Sequence, residues 1–204
     1  MQNIEILEKL FGSGEKVKIM RLFLFNPNNA FDIADIEDRA KVTRNDAKRE
    51  VALLEKIGLI KKRIFHKDDF KNVGHKIKTS GWILDDTFYY LTPLQNFLIH
   101  INPMRHQEIV EKLSRVGKLK LVIVAGLFIQ QPESRIDMLI VGDNLRNNSL
   151  ENVIKGIEAE IGKELRYSYF ETTDFQYRLG MCDKLIRDIL DYPHEKILDR
   201  LGIE

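Results

Sequence analysis

The stretch AGLFIQQPESRIDMLIVGD, residues 125–143, contains the residues whose types and spacing come nearest to a site for chemistry. Gly126 follows one apolar run and Asp137 stands at the start of the next, so both flank a loop between two predicted strands. Two or three carboxylates would be needed there to hold divalent metal ions for phosphoryl transfer. Asp137 instead has Arg135 two residues before it, and a guanidinium stays charged and repels Mg²⁺. We expect Arg135 and Asp137 to form a salt bridge on one face of a strand.

Three predicted strands and one helix must position these residues. LKLVIVAG is a continuous apolar run, as for a strand buried on both faces, and IDMLIVGD is predicted to be the next strand. Ser149 is expected to cap a helix that runs through Ile161, with Gly162 as its stop. LRYSYF is predicted to be a third strand, and it offers Arg166 but no acid.

This order of strand, glycine, loop, acidic strand, helix and strand resembles the minimal nucleotidyltransferase domain. In that family a Gly-Ser pair holds the triphosphate and an Asp-x-Asp pair binds the metal ions. The resemblance covers about residues 115–192, with Leu127 at the Ser position and Arg135 at the first Asp position. Only Gly126 and Asp137 are kept. The resemblance therefore implies a degenerate domain that is not an enzyme, with no catalytic residue, no metal and no cofactor.

The composition is that of an ordinary soluble chain, with 204 residues, 44% of them hydrophobic and 31% charged. The N-terminus lacks the basic start and apolar stretch of a signal peptide, and the longest apolar run, residues 121–129, is too short for a membrane span. The single cysteine, Cys182, excludes an internal disulfide and a cysteine-rich zinc site. We expect a cytoplasmic protein that has no membrane partner.

The charge is unevenly distributed, although the net charge is only +1. Residues 39–78 contain thirteen Lys or Arg against five Asp or Glu, a local charge of +8. Such a basic block favours a polyanion as partner, because Lys and Arg at phosphates release condensed counterions. A solvated, lysine-rich face is the alternative.

Two helices joined by a tight turn are predicted at the start of this block. Residues 33–40 have the apolar spacing of a short helix, Lys41 and Val42 form the turn, and Thr43 caps a second helix that ends at Gly58. Lys41 stands where such turns usually have glycine. The second helix should bury Ala47, Val51 and Leu54, with Leu53 and Ile57 on the flanks. Its first turns would then expose four polar residues, Arg44, Asn45, Lys48 and Arg49, where recognition helices meet base edges.

Alternating and aromatic residues after Gly58 predict two or three antiparallel strands. The region of residues 14–92, notably TRNDAKREVALLEKIGLIKKR, resembles the winged helix-turn-helix of bacterial and archaeal transcriptional regulators. The resemblance implies that the strands form a wing whose basic tip, with Lys67, Lys71 and Lys76 in the polar segment after Phe65 and Lys78 just beyond it, follows the phosphate backbone. The residues it implies for DNA binding are Thr43, Arg44, Asn45, Lys48, Arg49, Lys61, Lys62, Arg63, Lys67, Lys71, Lys76 and Lys78.

Together these features predict an α+β protein with three parts. Residues 1–92 form a winged helix-turn-helix domain, residues 93–117 a helical linker, and residues 118–204 a small nucleotidyltransferase-like α/β domain. The predicted function is a sequence-specific transcriptional regulator that binds double-stranded DNA as a homodimer. Its C-terminal domain would serve assembly or the sensing of an unknown small-molecule or protein effector.

Two other functions stay open from the sequence. A residual nucleotidyltransferase would use Asp137 together with acids such as Asp143 or Glu171. An antitoxin-like module would use both domains to bind protein, because a helix-turn-helix shape also serves protein contacts.

Overall fold

The structure is a computed structural model that describes residues 3–68, 75–99, 104–131 and 133–203, with side chains from residue 6 onward. Lys71 lies outside the described residues.

The protein belongs to the α+β class. The described helices are α1 Asn3–Phe11, α2 Gly14–Phe25, α3 Ile33–Ala40, α4 Arg44–Lys56, α5 Leu91–Leu98, α6 His106–Leu113, α7 Asn147–Ile161, α8 Thr172–Gly180 and α9 Lys184–Asp191. The described strands are β1 Ile60–Asp68, β2 Lys76–Leu84, β3 Lys118–Val124, β4 Met138–Asp143, β5 Tyr167–Glu171 and β6 Glu195–Asp199.

The chain divides into two compact units. The first comprises Met1–Ile101 together with Glu158–Lys163, and the second comprises Asn102–Ile157 together with Glu164–Glu204. The last residues of α7 are therefore part of the first unit. Among the described helices, none combines the length and apolar character needed to cross a membrane.

Helix α2 is the buried centre of the first unit. Ser13 caps it by accepting the N–H of Lys16 at 3.1 Å. Apolar residues occupy most of its circumference, and Ile19 and Phe23 are fully buried. A helix with so little polar surface is stable only inside a core, which α1, α3, α4 and the hairpin supply.

The one buried cation of α2, Arg21, is satisfied by carbonyl oxygens at the ends of two other helices. Its Nε donates to Leu98 at 3.2 Å and its Nη1 donates to Glu160 at 2.9 Å. Burial lowers the pKa of Arg21 to about 10, although the charge of Glu160 raises it in part. Next to this contact Gly162, at φ +91°, approaches α2 so closely that a Cβ would lie 2.5 Å from the Arg21 carbonyl carbon. Only glycine fits here.

The predicted helix pair is confirmed as α3 and α4. Asp32 and Asp35 form a capping box at the start of α3. Lys41 adopts the left-handed conformation, φ +51°, that glycine usually supplies in such a turn. Thr43 caps α4 by accepting the N–H of Asp46 at 3.2 Å.

Helix α4 buries the three residues that its spacing predicts, Ala47, Val51 and Leu54. Two flanking residues were predicted wrongly as buried, since Leu53 is 39% exposed and Ile57 is 53% exposed. Glu50, which lies on the buried side three residues after Ala47 and four before Leu54, is only 3% exposed. The buried stripe of α4 is therefore narrower than predicted and contains a carboxylate.

Strands β1 and β2 form one antiparallel hairpin that runs from the pair Ile60 and Leu84 to the pair Asp68 and Lys76. Phe31 extends it by exchanging both backbone hydrogen bonds with Trp82, each 2.9 Å long. The neighbouring Gly81 permits this approach, because a Cβ there would lie 2.3 Å from the Phe31 carbonyl oxygen.

The second unit is built on a four-stranded mixed sheet with the strand order β5-β4-β3-β6. β3 is antiparallel to β4 and β6, and β5 is parallel to β4. Leu121 and Ile123 pack with Phe175 of α8 and Ile186 of α9. Val122 and Val124, which alternate with them along β3, are also fully buried, as the continuous apolar run predicts.

Helix α7 begins at Asn147, so Ser149 lies inside its first turn. Arg146 accepts the first helical hydrogen bond, from Leu150 at 2.9 Å, so the prediction of Ser149 as the cap was wrong by three residues. Its end at Ile161, followed by Gly162, confirms the predicted stop.

Candidate functional site

The exposed polar side chains at the start of α4 differ in how firmly other residues of the chain hold them. Arg44 Nη1 lies 3.0 Å from Glu37 Oε2 and forms an exposed ion pair. Among the described residues, Asn45 and Lys48 have no side-chain partner and are exposed. Thr43 is committed to the helix cap. Of the predicted residues here, Asn45 and Lys48 are therefore the ones most available to a ligand.

Arg49 is held along α4 by its neighbours. Its Nε and Nη2 donate to Glu50 Oε1 at 3.1 and 3.0 Å, and Nη2 also lies 2.9 Å from Asp46. Glu50 is buried and has Lys16 of α2 3.7 Å from its other oxygen. The hydrogen bond to Glu50 raises the pKa of Arg49, an effect that partial desolvation reduces. Arg49 is thus tied to the helix surface by charge-assisted hydrogen bonds.

The register of the hairpin separates the predicted cations into two faces. Paired residues of antiparallel strands place their side chains on the same face, and successive residues alternate. Because Lys62 pairs with Trp82 and His66 with Lys78, the even-numbered residues share one face. The odd-numbered cations, of which Arg63 is one, share the other.

The even-numbered face lies on the α4 side. Trp82 Nε1 donates to Glu55 of α4 at 2.8 Å, and Lys62 Nζ lies 3.4 Å from the same carboxylate. The hydrogen bond from Trp82 is the main cause that lowers the pKa of Glu55. Lys76 and Lys78 follow on this face, both exposed and without a partner among the described residues.

We call the α4-side cations together the basic surface. It consists of Lys48 on α4 and of three hairpin residues, Lys62, Lys76 and Lys78. Lys62 already has Glu55 beside it, whereas Lys48, Lys76 and Lys78 are exposed and have no partner among the described residues. These three charges are available to a phosphate-rich ligand.

Two odd-numbered cations are already neutralised within the chain. Lys61 Nζ lies 3.1 Å from Asp85 and 2.9 Å from Asp86. Lys67 donates to Asp32 and, at 3.2 Å, to Asp35 at the start of α3. Lys67 had been predicted as part of the basic tip of the wing, whereas it lies in β1 and pairs with the α3 cap.

The contact between Lys67 and the α3 cap shifts both partners toward their charged forms. Burial would raise the pKa of Asp32, but the hydrogen bonds from Lys67 and from the Asp35 backbone lower it overall. Burial would likewise lower the pKa of Lys67, but its two carboxylate partners raise it. This cluster, which we call the α3 clamp, consists of Asp32, Asp35 and Lys67 and joins α3 to the hairpin.

Asp137 of the second unit is 4% exposed and fully engaged by the protein. Its Oδ1 accepts the N–H of Leu127 at 2.9 Å, and its Oδ2 accepts the N–H of Arg166 at 2.9 Å. The Arg166 guanidinium donates to both oxygens at 3.2 Å. A carboxylate with these four donors has no lone pair directed at a metal ion.

The predicted salt bridge between Arg135 and Asp137 is wrong. Arg135 Nη1 instead lies 2.7 Å from Asp188 Oδ2 of α9, an ion pair without hydrogen-bond geometry. Both residues precede β4, so the strand alternation on which the prediction rested does not apply. Gly126 is needed because a Cβ there would lie 2.2 Å from Asp137 Oδ1. The glycine and the aspartate therefore form one packed turn.

The other acids considered for a metal site lie at the far end of the sheet. Asp143 ends β4 and accepts a hydrogen bond from Thr172, and Glu171 ends β5 and accepts the N–H groups of Asn144 and Leu145. Asp137 precedes β4 by one residue, so the six residues of that strand place Asp143 about 20 Å away. These carboxylates cannot share an ion with Asp137. The described residues contain no group of three or more His, Cys, Asp or Glu that could hold a metal.

Sequence reasoning missed the acids that restrain the cations. Glu50 could have been found, because it follows Ala47 by three residues and precedes Leu54 by four, which places it on the buried side of α4. Arg166 as the partner of Asp137 had no local signal, since 29 residues separate them. Long-range pairs of this kind depend on the sheet order.

No family model matches the chain, and searches among curated proteins and among solved structures give no match either.

Proposed function

We propose that this protein is a sequence-specific, DNA-binding transcriptional regulator. In this proposal the first unit is a winged helix-turn-helix in which α4 is the recognition helix and the β1-β2 hairpin is the wing. The observation that carries the proposal is the basic surface, where lysines of α4 and of the hairpin share one side. Phosphate contacts from such a surface supply affinity and set the orientation on the duplex.

Base reading is assigned to the start of α4. Asn45 suits bidentate contact with adenine, and Lys48 suits the acceptors of guanine. Arg44 is held only by an exposed ion pair, which costs little to exchange for a base or a phosphate. Arg49 is more firmly bound to Glu50, so we assign it a supporting role.

The second unit is assigned to assembly or to the sensing of an effector. The packed turn of Gly126 and Asp137 supports this, because the groups that would perform metal chemistry in a nucleotidyltransferase are absent or engaged by Arg166. In this proposal the protein is a cytoplasmic homodimer and a pseudoenzyme.

The test is fluorescence anisotropy with duplex DNA from upstream of its own gene and with an unrelated duplex of equal length. Lys78→Ala should weaken binding to both duplexes and reduce the slope of log K against log[salt] by about 1. Asn45→Ala should reduce the preference for the specific duplex by about 1–3 kcal/mol.

Lys61→Ala is the matched control, because it removes the same charge from the same hairpin on the opposite face. It should leave affinity and salt slope nearly unchanged. Equal losses for Lys61→Ala and Lys78→Ala, or no salt-dependent binding by the wild-type chain, would refute the proposal.

A further inference from the structure

The outer edge of β1 has unpaired backbone groups. The backbone N–H and C=O of Trp82 both bond to Phe31, on the side away from β1. Lys62 and Trp82, which are opposite each other, are therefore a non-hydrogen-bonded pair of the hairpin. By alternation, the N–H and C=O groups of the even residues of β1 point away from β2. No other described residue donates to or accepts from this edge. An open edge is a template for another strand.

Residues 63–68 of β1 are accessible. A groove of about 1010 Å³ is lined by Arg63–Asp68, by α3 residues such as Ala34, by Ile83 of β2 and by Phe31, which pairs with β2. The groove therefore extends across the face of the hairpin that looks toward α3, and the outer edge of β1 borders it. Ile64 at the middle of this stretch is 61% exposed.

We propose that β1 of a second copy of this chain pairs with this open edge, antiparallel to the first β1. In the register centred on Phe65, Lys62 lies opposite Asp68 of the second copy, and the reciprocal pair forms by symmetry. Ile64 lies opposite His66 of the second copy, and the two Phe65 rings face each other. This register joins opposite charges at both ends and an aromatic pair at the centre.

The pairing satisfies the open edge. Hydrogen-bonded pairs at the even positions supply about eight backbone hydrogen bonds between the two copies. Arg63 lies opposite Lys67 of the second copy, whose charge Asp32 and Asp35 of that copy already balance. The interface is isologous, as a two-fold dimer requires.

The symmetry has a consequence for the basic surface, which rests on the proposed function. The two paired hairpins form one four-stranded sheet in the order β2-β1-β1-β2. A two-fold axis perpendicular to this sheet places the even-numbered faces of both hairpins on the same side. Both α4 helices therefore lie on one side of the dimer, and both α3 helices lie on the other. A dimer with this symmetry reads a palindromic operator.

The test is sedimentation velocity of the full chain without DNA over a concentration series. The wild-type chain should form a dimer. Ile64→Pro removes one outward N–H from each copy, which an edge strand tolerates, and should weaken the dimer by about tenfold or more, the effect of two lost hydrogen bonds. Ser80→Pro, at an outward position on the opposite edge of the hairpin, should leave dimerisation unchanged.

A charge exchange tests the register. Lys62→Glu and Asp68→Lys should each weaken the dimer by about tenfold, and the double variant should restore it. If circular dichroism shows that Ile64→Pro does not fold, the charge exchange still tests the proposed interface. A monomeric wild-type chain, a dimer insensitive to Ile64→Pro in a folded protein, or no rescue by the double variant would overturn the inference.

The two proposals fail separately. A dimer with the expected charge-exchange rescue supports the interface whether or not the chain binds DNA. A monomer that binds DNA through the basic surface overturns the interface and leaves the proposed function standing.

Discussion

Asp137 shows how a carboxylate can serve structure in a position suggestive of catalysis. Its two oxygens accept the backbone N–H groups of Leu127 and Arg166 and the guanidinium of Arg166. The turn at Gly126 is built around it. Removal of its charge should therefore affect folding of the second unit directly.

We expect Asp137→Asn to lower the free energy of unfolding by about 1–3 kcal/mol, the cost of leaving a buried donor unsatisfied. The asparagine NH₂ would face one of the backbone N–H groups that Asp137 now accepts. The measurement is urea denaturation followed by circular dichroism.

Arg135→Gln is the control for that experiment. The ion pair of Arg135 with Asp188 is partly exposed, and its loss should cost about 0–1 kcal/mol. A larger effect of Arg135→Gln than of Asp137→Asn would reverse the structural roles assigned to the two residues.

Two glycines with positive φ provide a second comparison at the residue scale. Gly58→Ala, at φ +82° with no atom within 4 Å of the new Cβ, should cost only the left-handed conformation, about 1–2 kcal/mol. Gly162→Ala adds a collision with the α2 backbone, which should cost about 1–3 kcal/mol more. Thermal unfolding monitored by Trp82 fluorescence measures both, because Trp82 is the single tryptophan and lies in the first unit. Equal effects would contradict the close approach of Gly162 to α2.

The α3 clamp determines how the hairpin is held against α3. The folded-state pKa of Asp32 is lowered, so its contribution to stability is present above the ordinary aspartate pKa and is lost as the pH falls through the folded value. The pKa of Lys67 is raised, so its contribution is lost only as the pH rises through the raised lysine value.

We therefore expect Lys67→Met to reduce the loss of stability on acidification below about pH 4, the ordinary range of aspartate titration. At neutral pH the variant should melt at a lower temperature than the wild type, because two carboxylates lose their partner. The measurement is the Tm of the first unit against pH. Lys78→Met, which removes an exposed lysine without a partner among the described residues, serves as control, and an acid profile equal to that of Lys67→Met would refute the role of the clamp.

Local residue spacing predicted where the helices and strands lie, but it did not predict which distant side chains interact. The pair α3 and α4 followed from apolar periodicity, a turn and the Thr43 cap, all of which lie within a short segment. The partner of Asp137 could not be derived in this way, because Arg166 reaches it only after β5 has paired with β4. Lys67 was placed at a loop because the extent of β1 was underestimated, and its pairing with α3 depends on the hairpin register.

At the scale of the whole molecule, the charge asymmetry predicts a salt-dependent affinity for DNA. If Lys48, Lys76 and Lys78, the lysines of the basic surface without an acidic partner among the described residues, each replace a counterion, the slope of log K against log[salt] should be about −3 per chain. Anisotropy titrations between 50 and 200 mM KCl, about the range over which such losses are large, measure this slope. A slope near zero would contradict phosphate binding.

The contacts of Arg21 set a limit on how this chain can be divided. The carbonyl oxygen of Glu160, which accepts from the guanidinium, and Gly162, which packs on α2, come from a segment that follows most of the second unit in sequence. A fragment cut near residue 101 would lack both, and its buried guanidinium would lose an acceptor. Residues 1–101 alone therefore do not contain the whole first unit, and a chimera that uses this unit must also include residues 158–163.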